Sequence, residues 1–553
     1  MYVQVLLPLK LRWIPTYISD TPLLRGEAVK VIFSGRRYTG IVWTTEADAP
    51  AGVKRMLKVL GRDETVPSLD TNEMALWNFI ADYYLCTLGE VFAMALPGLR
   101  LRSEQNNSAA IARLRSRVNT IEEQLTGRHC ERVRLRLESK KAELLSRIAE
   151  ISPESIPASD IAIPDAGSLT KPETDRPAAA PKDRRPRLLI DHDRMASYID
   201  AAREQLDSNC QVLLLAPEVA FADNLEKALA EEFGPSLDVV HSGKSPAARQ
   251  RAATRLRSGQ PLLVLGTRSS IFLPFRRLGL VIIDEEQDPF YKQSEPAPRY
   301  NGRDCAIYLA VLHSARVLLG TACPSLETLL NLHGGKYVAA LKGRGENGAT
   351  DTSLPPDQTE ADKHQTVIDI ASERRKNGMK GPLSRRLIAA VHAAGGPTLL
   401  IRGWEKQEEL EGCISANLQD EDISVCTLAE LKRNGSGGAV LIAVLQADAL
   451  LSKDDFRSDE RALQLMAMLR EFSPEVIIQT EVPQRFSTSL DALLAERRQF
   501  GFPPYTRIVD IRRYGSGELA ERIFLQRDAS LASRKAEIFA SLPDDCYADV
   551  DPQ

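Results

Sequence analysis

Four nearly continuous apolar runs, Gln211–Pro217, Leu262–Gly266, Leu278–Asp284 and Ala315–Gly320, constrain this chain more than any other feature. Each is followed by a loop and a helix-like stretch. A strand with one wet face alternates polar and apolar residues; a run without alternation needs apolar cover on both faces. Parallel sheets flanked by helices provide that cover. A fifth short run, Arg187–Ile190, precedes them, and a weaker set of the same kind appears at Pro397–Ile401, Ala439–Leu445 and Glu475–Thr480. The expected fold class is therefore α/β and multidomain, since 553 residues exceed what one core accommodates.

Around these runs the chain divides by composition. Residues 1–102 read as a small β-rich unit, with Tyr2–Pro8, Glu27–Phe33 and Tyr38–Thr44 as strands. A helix is expected at Thr71–Leu85, capped by Thr71 or Asn72. Residues 103–151 place Ile111, Leu114, Val118, Ile121 and Leu125 at helical spacing and read as a charged helical hairpin. From Arg100 to Glu150 twelve Lys or Arg stand against seven acids, a local bias within a chain of net charge −4. Residues 152–186 are rich in Pro, Ala, Asp and Lys and read as a linker. The first α/β unit spans 187–343, a polar loop 344–366, the second unit 367–480, and a mixed tail 481–553. None of the eight cysteines lies in a C-x-x-C pair, so neither a disulfide framework nor a zinc ribbon is expected. No stretch is apolar enough to span a membrane, and the first residues lack a signal-peptide pattern, so a cytoplasmic location is expected.

The chemistry concentrates in LGLVIIDEEQD, Leu278 to Asp288. A buried strand ending in carboxylates puts acids at the carboxyl edge of a parallel sheet, where ligands bind. Before it stand LLLAPEVAF (Leu213–Phe221), VVHSG (Val239–Gly243) and VLGTRSSIFLPF (Val264–Phe275). After it stand YKQ (Tyr291–Gln293), RYNGRDCAIYLA (Arg299–Ala310) and LLGTACPSLETL (Leu318–Leu329). In this order the blocks resemble the first motor lobe of the primosomal protein N′ family, replication-restart DNA helicases of superfamily 2. LPLKL (Leu7–Leu11), GEAVKVIF (Gly26–Phe33), YTGIV (Tyr38–Val42) and Ala81–Pro97 are similar to that family's 3′-end-binding domain. Gln446–Met466, VIIQT (Val476–Thr480) and RRQFGFPPY (Arg497–Tyr505) resemble its second lobe and the join to its last domain. The resemblance implies two RecA-like lobes, the second reduced, behind a small β-rich DNA 3′-end-binding domain.

The chain departs from the family where nucleotide chemistry is done. A G-x-x-x-x-G-K-[ST] loop should come after the Arg187–Ile190 strand, its amides cradling phosphates. The sequence there is DHDRMASYIDAA, Asp191 to Ala202, without glycine or lysine and with Arg194 as its sole cation. Asp191 and Asp193 would repel a polyphosphate. The tripeptide Gly243-Lys244-Ser245 lacks the earlier glycine and coincides with the family's HSG block. Of the arginine block only Arg470 is left to reach a γ-phosphate. The TQM block, the zinc cysteines and a recognisable winged helix are missing, and the last domain reads as cut short. Gln287 replaces the family's His. Asp284 and Glu285 stand as a vestigial Mg²⁺-binding pair, for which no tight metal site is expected without substrate phosphates. No cofactor is expected, and no zinc; ATP and Mg²⁺ enter only if a working motor survives.

The resemblance carries DNA contacts onto Thr16, Gly35 and Lys54 in the N-terminal domain, with Pro15 where the family has a base-stacking aromatic, and onto Thr267, Arg268, Arg299 and Arg303 in the first lobe. It implies DNA, forked or single-stranded, as partner, together with single-strand DNA-binding protein and primosome or helicase-loading proteins, at the nucleoid. Three functions are compatible with these residues: a pseudo-helicase that recognises branched DNA or 3′ ends and serves as an assembly platform, an active 3′–5′ helicase with an atypical phosphate loop, and a non-DNA interaction protein that keeps the fold.

Overall fold

A computed structural model describes residues 1–47, 56–97, 184–191, 194–340, 365–451 and 455–552. The helical hairpin expected at 103–151, and nearly all of the linker and of the 344–366 loop, lie outside the described residues.

The chain forms two compact units. In the first, Met1–Leu69 builds a five-stranded antiparallel sheet in the order Thr16–Ile18, Tyr2–Leu6, Arg36–Thr44, Ala28–Phe33, Gly61–Arg62. Alternation decides its faces: Val3, Val5, Val29, Val31 and Val42 point into a core shared with Leu7, Tyr17 and Leu23. Ala28–Phe33 and Arg36–Thr44 are joined by Ser34 and Gly35, both with positive φ (48° and 75°). That pair of left-handed residues is what a two-residue hairpin turn requires.

The second unit takes in Asp70–Ala95 as well as Asp183 onward. The helix Thr71–Tyr84 packs on the helix Gly302–His313, where Phe79 stacks on Tyr308 at 4.0 Å. Its N-cap is Asp70, not Thr71 or Asn72: Asp70 and Glu73 form a reciprocal capping box.

The five apolar runs of the first lobe become the centre of a seven-stranded parallel sheet. Its order is Val338–Ala339, Arg187–Ile190, Arg316–Thr321, Leu278–Ile283, Gln211–Leu215, Leu262–Gly266, Leu237–Val240. The middle strands are buried on both faces, as continuous apolar runs demand. The second lobe is a five-stranded parallel sheet, in the order Gln365–Asp369, Glu475–Thr480, Leu441–Val444, Thr398–Ile401, Ile423–Cys426. Beyond it the tail, in which sequence reveals no final element, forms an antiparallel sheet of Leu519–Gln526, Thr506–Arg513 and Cys546–Val550 with a helix at Leu531–Ser541. A strand such as Leu519–Gln526, exposed at six of its eight residues, lacks the apolar signature that marks the lobes. No helix among the described residues is long and apolar enough to cross a membrane.

Candidate functional site

The carboxyl ends of Arg187–Ile190, Leu278–Ile283 and Arg316–Thr321 converge on one guanidinium. Arg194 opens the helix Met195–Asp207 and is buried, with 7% of its surface exposed. Its Nε donates to Asp284 Oδ1 at 3.1 Å, its Nη2 to Glu285 Oε1, and its Nη1 to Glu471 Oε1 at 2.6 Å and to the Asp191 carbonyl at 2.6 Å. Asp284 and Glu285 belong to the first lobe, and Glu471 comes directly after the second-lobe helix Ser458–Arg470. One turn along the Arg194 helix, Tyr198 donates its hydroxyl to Asp284 Oδ1 at 2.7 Å. Residues four apart share a helix face, so one face carries both polar heads to the same carboxylates.

The backbone is shaped around this cluster. A Cβ at Gly320 would lie 1.6 Å from the Tyr198 hydroxyl and 3.0 Å from Arg194 Cδ, so only glycine fits there. Glu285 is held at φ 47°, in the left-handed region that a non-glycine residue adopts at a cost. Gln287, at the family's His position, ties the strand ends together: it donates to Glu285 Oε2 at 2.5 Å and accepts from Thr321 Oγ1 at 2.7 Å.

One guanidinium thus faces three carboxyl groups. Burial opposes the charge on Arg194, but Asp284 and Glu285 outweigh it and hold the guanidinium protonated. The surplus acids respond: burial pushes Glu285 up to about 8 against the pull of Arg194, and burial likewise raises Glu471. A second set of ion pairs lines the same interlobe cleft. Arg303 binds Glu286 at 2.8 Å, Arg457 binds Glu327 at 3.2 Å, and Glu460 accepts the Leu326 amide at 3.0 Å.

The other candidate residues fall in different surroundings. Arg470 faces the side-chain amide of Gln365, and its neighbour Glu471 is the residue that reaches the first lobe. Arg268 is half-buried, donating to Gln293 at 2.7 Å and to the Phe290 carbonyl at 2.7 Å, and Thr267 begins the short turn that holds it. Arg299 and Arg303, expected to offer positive charge to DNA, do not present it to solvent. Arg299 is buried with its guanidinium 3.5 Å from the Tyr547 ring centre, and Arg303 is committed to Glu286 and Asp304. In the N-terminal unit Thr16 pairs with Gln4 in the sheet, Gly35 occupies the hairpin turn, and Pro15 is buried. Lys54 lies outside the described residues. The Gly243-Lys244-Ser245 tripeptide starts a helix: Ser245 caps Pro246–Arg257, and Lys244 pairs with Glu226 at 2.7 Å. Sequence singles out Arg194 but neither Tyr198 nor Glu471; the signal for Tyr198 is its i+4 spacing from Arg194.

Residues 4–97 match the family model of a 3′DNA-binding domain (3′BD) of PriA. Replication restart protein PriA of Chlamydia pneumoniae is 27% identical over 355 residues, covering 57% of this chain and 47% of that protein. The Haemophilus influenzae protein of the same name is 36% identical over 204 residues, 37% of this chain and 26% of the relative. That of Rickettsia prowazekii is 24% identical over 522 residues, 87% of this chain and 71% of the relative. The match thus spans about half or less of the first two relatives. Among solved structures, RecG bound to a three-way DNA junction aligns with 64% of this chain and 47% of its own, at 14% identity and a TM-score of 0.35. With the 3′DNA-binding domain at one end and similarity to replication restart proteins along most of its length, the chain is PriA-like.

Proposed function

We propose that this chain is a replication-restart DNA-binding protein that recognises branched DNA or 3′ ends and acts as an assembly platform, not as an ATP-driven motor. The observation that supports this reading is the Arg194 cluster. A triphosphate with Mg²⁺ needs unpaired cations, backbone amides turned outward and carboxylates free to hold the metal. At the carboxyl edge of the first sheet the available cation is bound by three acids, and both of the vestigial metal carboxylates are bound by the cation. The residues present do not fit a nucleotide. Arg194 and Glu471 bridge the two lobes. DNA then binds through the N-terminal domain and through phosphate contacts that weaken with salt. Single-strand DNA-binding protein and primosome or helicase-loading proteins are the partners proposed for the platform, acting at the nucleoid.

The test is a titration of a fluorescent ATP analogue with Mg²⁺, run with and without a forked DNA carrying a free 3′ end, beside a direct DNA-binding titration. DNA binding without nucleotide binding is expected. Micromolar nucleotide binding that disappears in Asp284→Asn would overturn the platform reading in favour of an active motor. Absence of DNA binding would favour an interaction protein that keeps only the fold.

A further inference from the structure

Trp13 is 59% exposed, whereas Trp43 and Trp77 are buried. Leaving an indole in water forgoes one of the largest single burial gains a chain has available. Trp13 nevertheless stands in a defined place. It lies in the loop between Tyr2–Leu6 and Thr16–Ile18, with its ring centre 6.2 Å from that of Phe33 and the planes tilted by 57°. Phe33 is itself half-buried against the sheet core of Val29, Val31 and Tyr17, so the indole leans on a fixed ring. Directly across the hairpin, Phe33 pairs with Arg36. Opposite residues of an antiparallel pair project to the same face, which brings Arg36 to the side that carries Phe33. The Arg36 side chain is exposed, and among the described residues no ion pair or side-chain hydrogen bond engages its guanidinium. Lys10 and Arg12, exposed in the same loop as Trp13, add positive charge.

We propose that Trp13, backed by Phe33, is a base-stacking platform for single-stranded DNA, with Arg36 positioned for the adjoining phosphate. The assignment rests on the DNA-binding reading above and supplies it with the aromatic that Pro15 cannot. An aromatic face beside exposed positive charge is what a strand needs: every base offers a π-face, and the backbone seeks cations. The other exposed indole provides a contrast. Trp404, 68% exposed, is followed by Glu405, Lys406, Glu408 and Glu409, a setting in which acids outnumber the one cation.

The experiment is fluorescence anisotropy of a labelled oligothymidylate with a free 3′ end, titrated with the full chain and its variants. Trp13→Ala is expected to weaken binding about 5- to 150-fold, the range for loss of one base stack. Trp13→Phe keeps most of the affinity, Trp404→Ala keeps all of it, and Arg36→Ala lowers the salt slope by about 0.7. The Tm of Trp13→Ala should match the parent, because the side chain is exposed. Binding by the unaltered chain that Trp13→Ala leaves unchanged, or that Trp404→Ala weakens equally, overturns the platform. Absence of binding by the unaltered chain overturns the DNA-binding reading and this inference with it.

Discussion

Two parts of this molecule carry arginines at places where a nucleotide or nucleic acid is expected, and they treat them in opposite ways. At the carboxyl edge of the first lobe, Arg194 is buried and bound by Asp284, Glu285 and Glu471. On the N-terminal hairpin, Arg36 is exposed beside Phe33, with the uncovered ring of Trp13 against that phenyl group. A charge enclosed by its own carboxylates contributes to structure; a charge kept in water beside an uncovered ring contributes little to stability and is available for binding. The same residue type therefore reads as scaffold in one region and as recognition in the other, and its neighbours decide which.

That contrast breaks most readily at Arg194. Arg194→Met leaves the buried Asp284 and Glu285 and the half-buried Glu471 without their cation and should destabilise the lobes by about 3–5 kcal/mol, the cost of removing one partner of a buried pair. Because the unit is large, the practical measure is a fall in Tm together with a lower urea midpoint. Adding Asp284→Asn and Glu285→Gln should recover much of the loss, since the penalty lies in uncompensated charge. If Arg194→Met unfolds like the parent but gains or loses ATP binding, the cluster is a ligand site after all and the comparison fails.

The next effect is steric. Gly320→Ala drives a methyl into the Tyr198 hydroxyl and must push that ring away from Asp284. Overpacking of this kind costs about 1–3 kcal/mol. Oligonucleotide affinity should stay within about twofold of the parent, because the substitution touches the scaffold arginine and not the exposed one. A matching loss of DNA affinity would show that the two regions are not independent.

The apolar strands were legible because burial on both faces removes polar residues from a sequence altogether. Leu262–Gly266, Arg187–Ile190 and Glu475–Thr480 coincide with the observed strands to the residue. The edge strands Leu237–Val240, Gln365–Asp369 and Ile423–Cys426 escaped because partial exposure dilutes that signature. The site was half legible. Asp284 and Glu285 stood out at the end of a strand, and the stretch Asp191–Ala202 stood out for having no glycine. The carboxylate from the second lobe did not, because Glu471 is brought to Arg194 by the docking of that lobe, a contact 277 residues distant in sequence. The burial of Arg299 and Arg303 was not legible either: the later Tyr547 ring covers Arg299, and Arg303 is held by Glu286 and Asp304 within its own lobe.

The smallest effect is a change of slope with pH. Burial raises Glu285 from its ordinary 4.5 to about 8, so the folded chain holds a proton there that the unfolded chain has released. Its contribution to stability is complete below about 4.5 and is lost as pH rises through about 8. Glu73, which burial raises to about 7, acts with the same sign and is unaffected by a change at Glu285. The informative quantity is therefore the difference between the parent and Glu285→Gln, whose amide stays neutral throughout. With Tm measured at about pH 6, 7, 8 and 9, the parent should decline more steeply than the variant, the gap opening towards the raised value of Glu285. Parallel curves would mean that Arg194 keeps Glu285 ionised and that all three acids share the one cation as charges. Oligonucleotide affinity over the same range should fall no more steeply in the parent than in Glu285→Gln, since the proposed DNA contacts are Trp13 and Arg36 and not the Glu285 cluster. A steeper fall in the parent's DNA affinity would tie the buried cluster to recognition and erase the distinction between the enclosed charge and the exposed one.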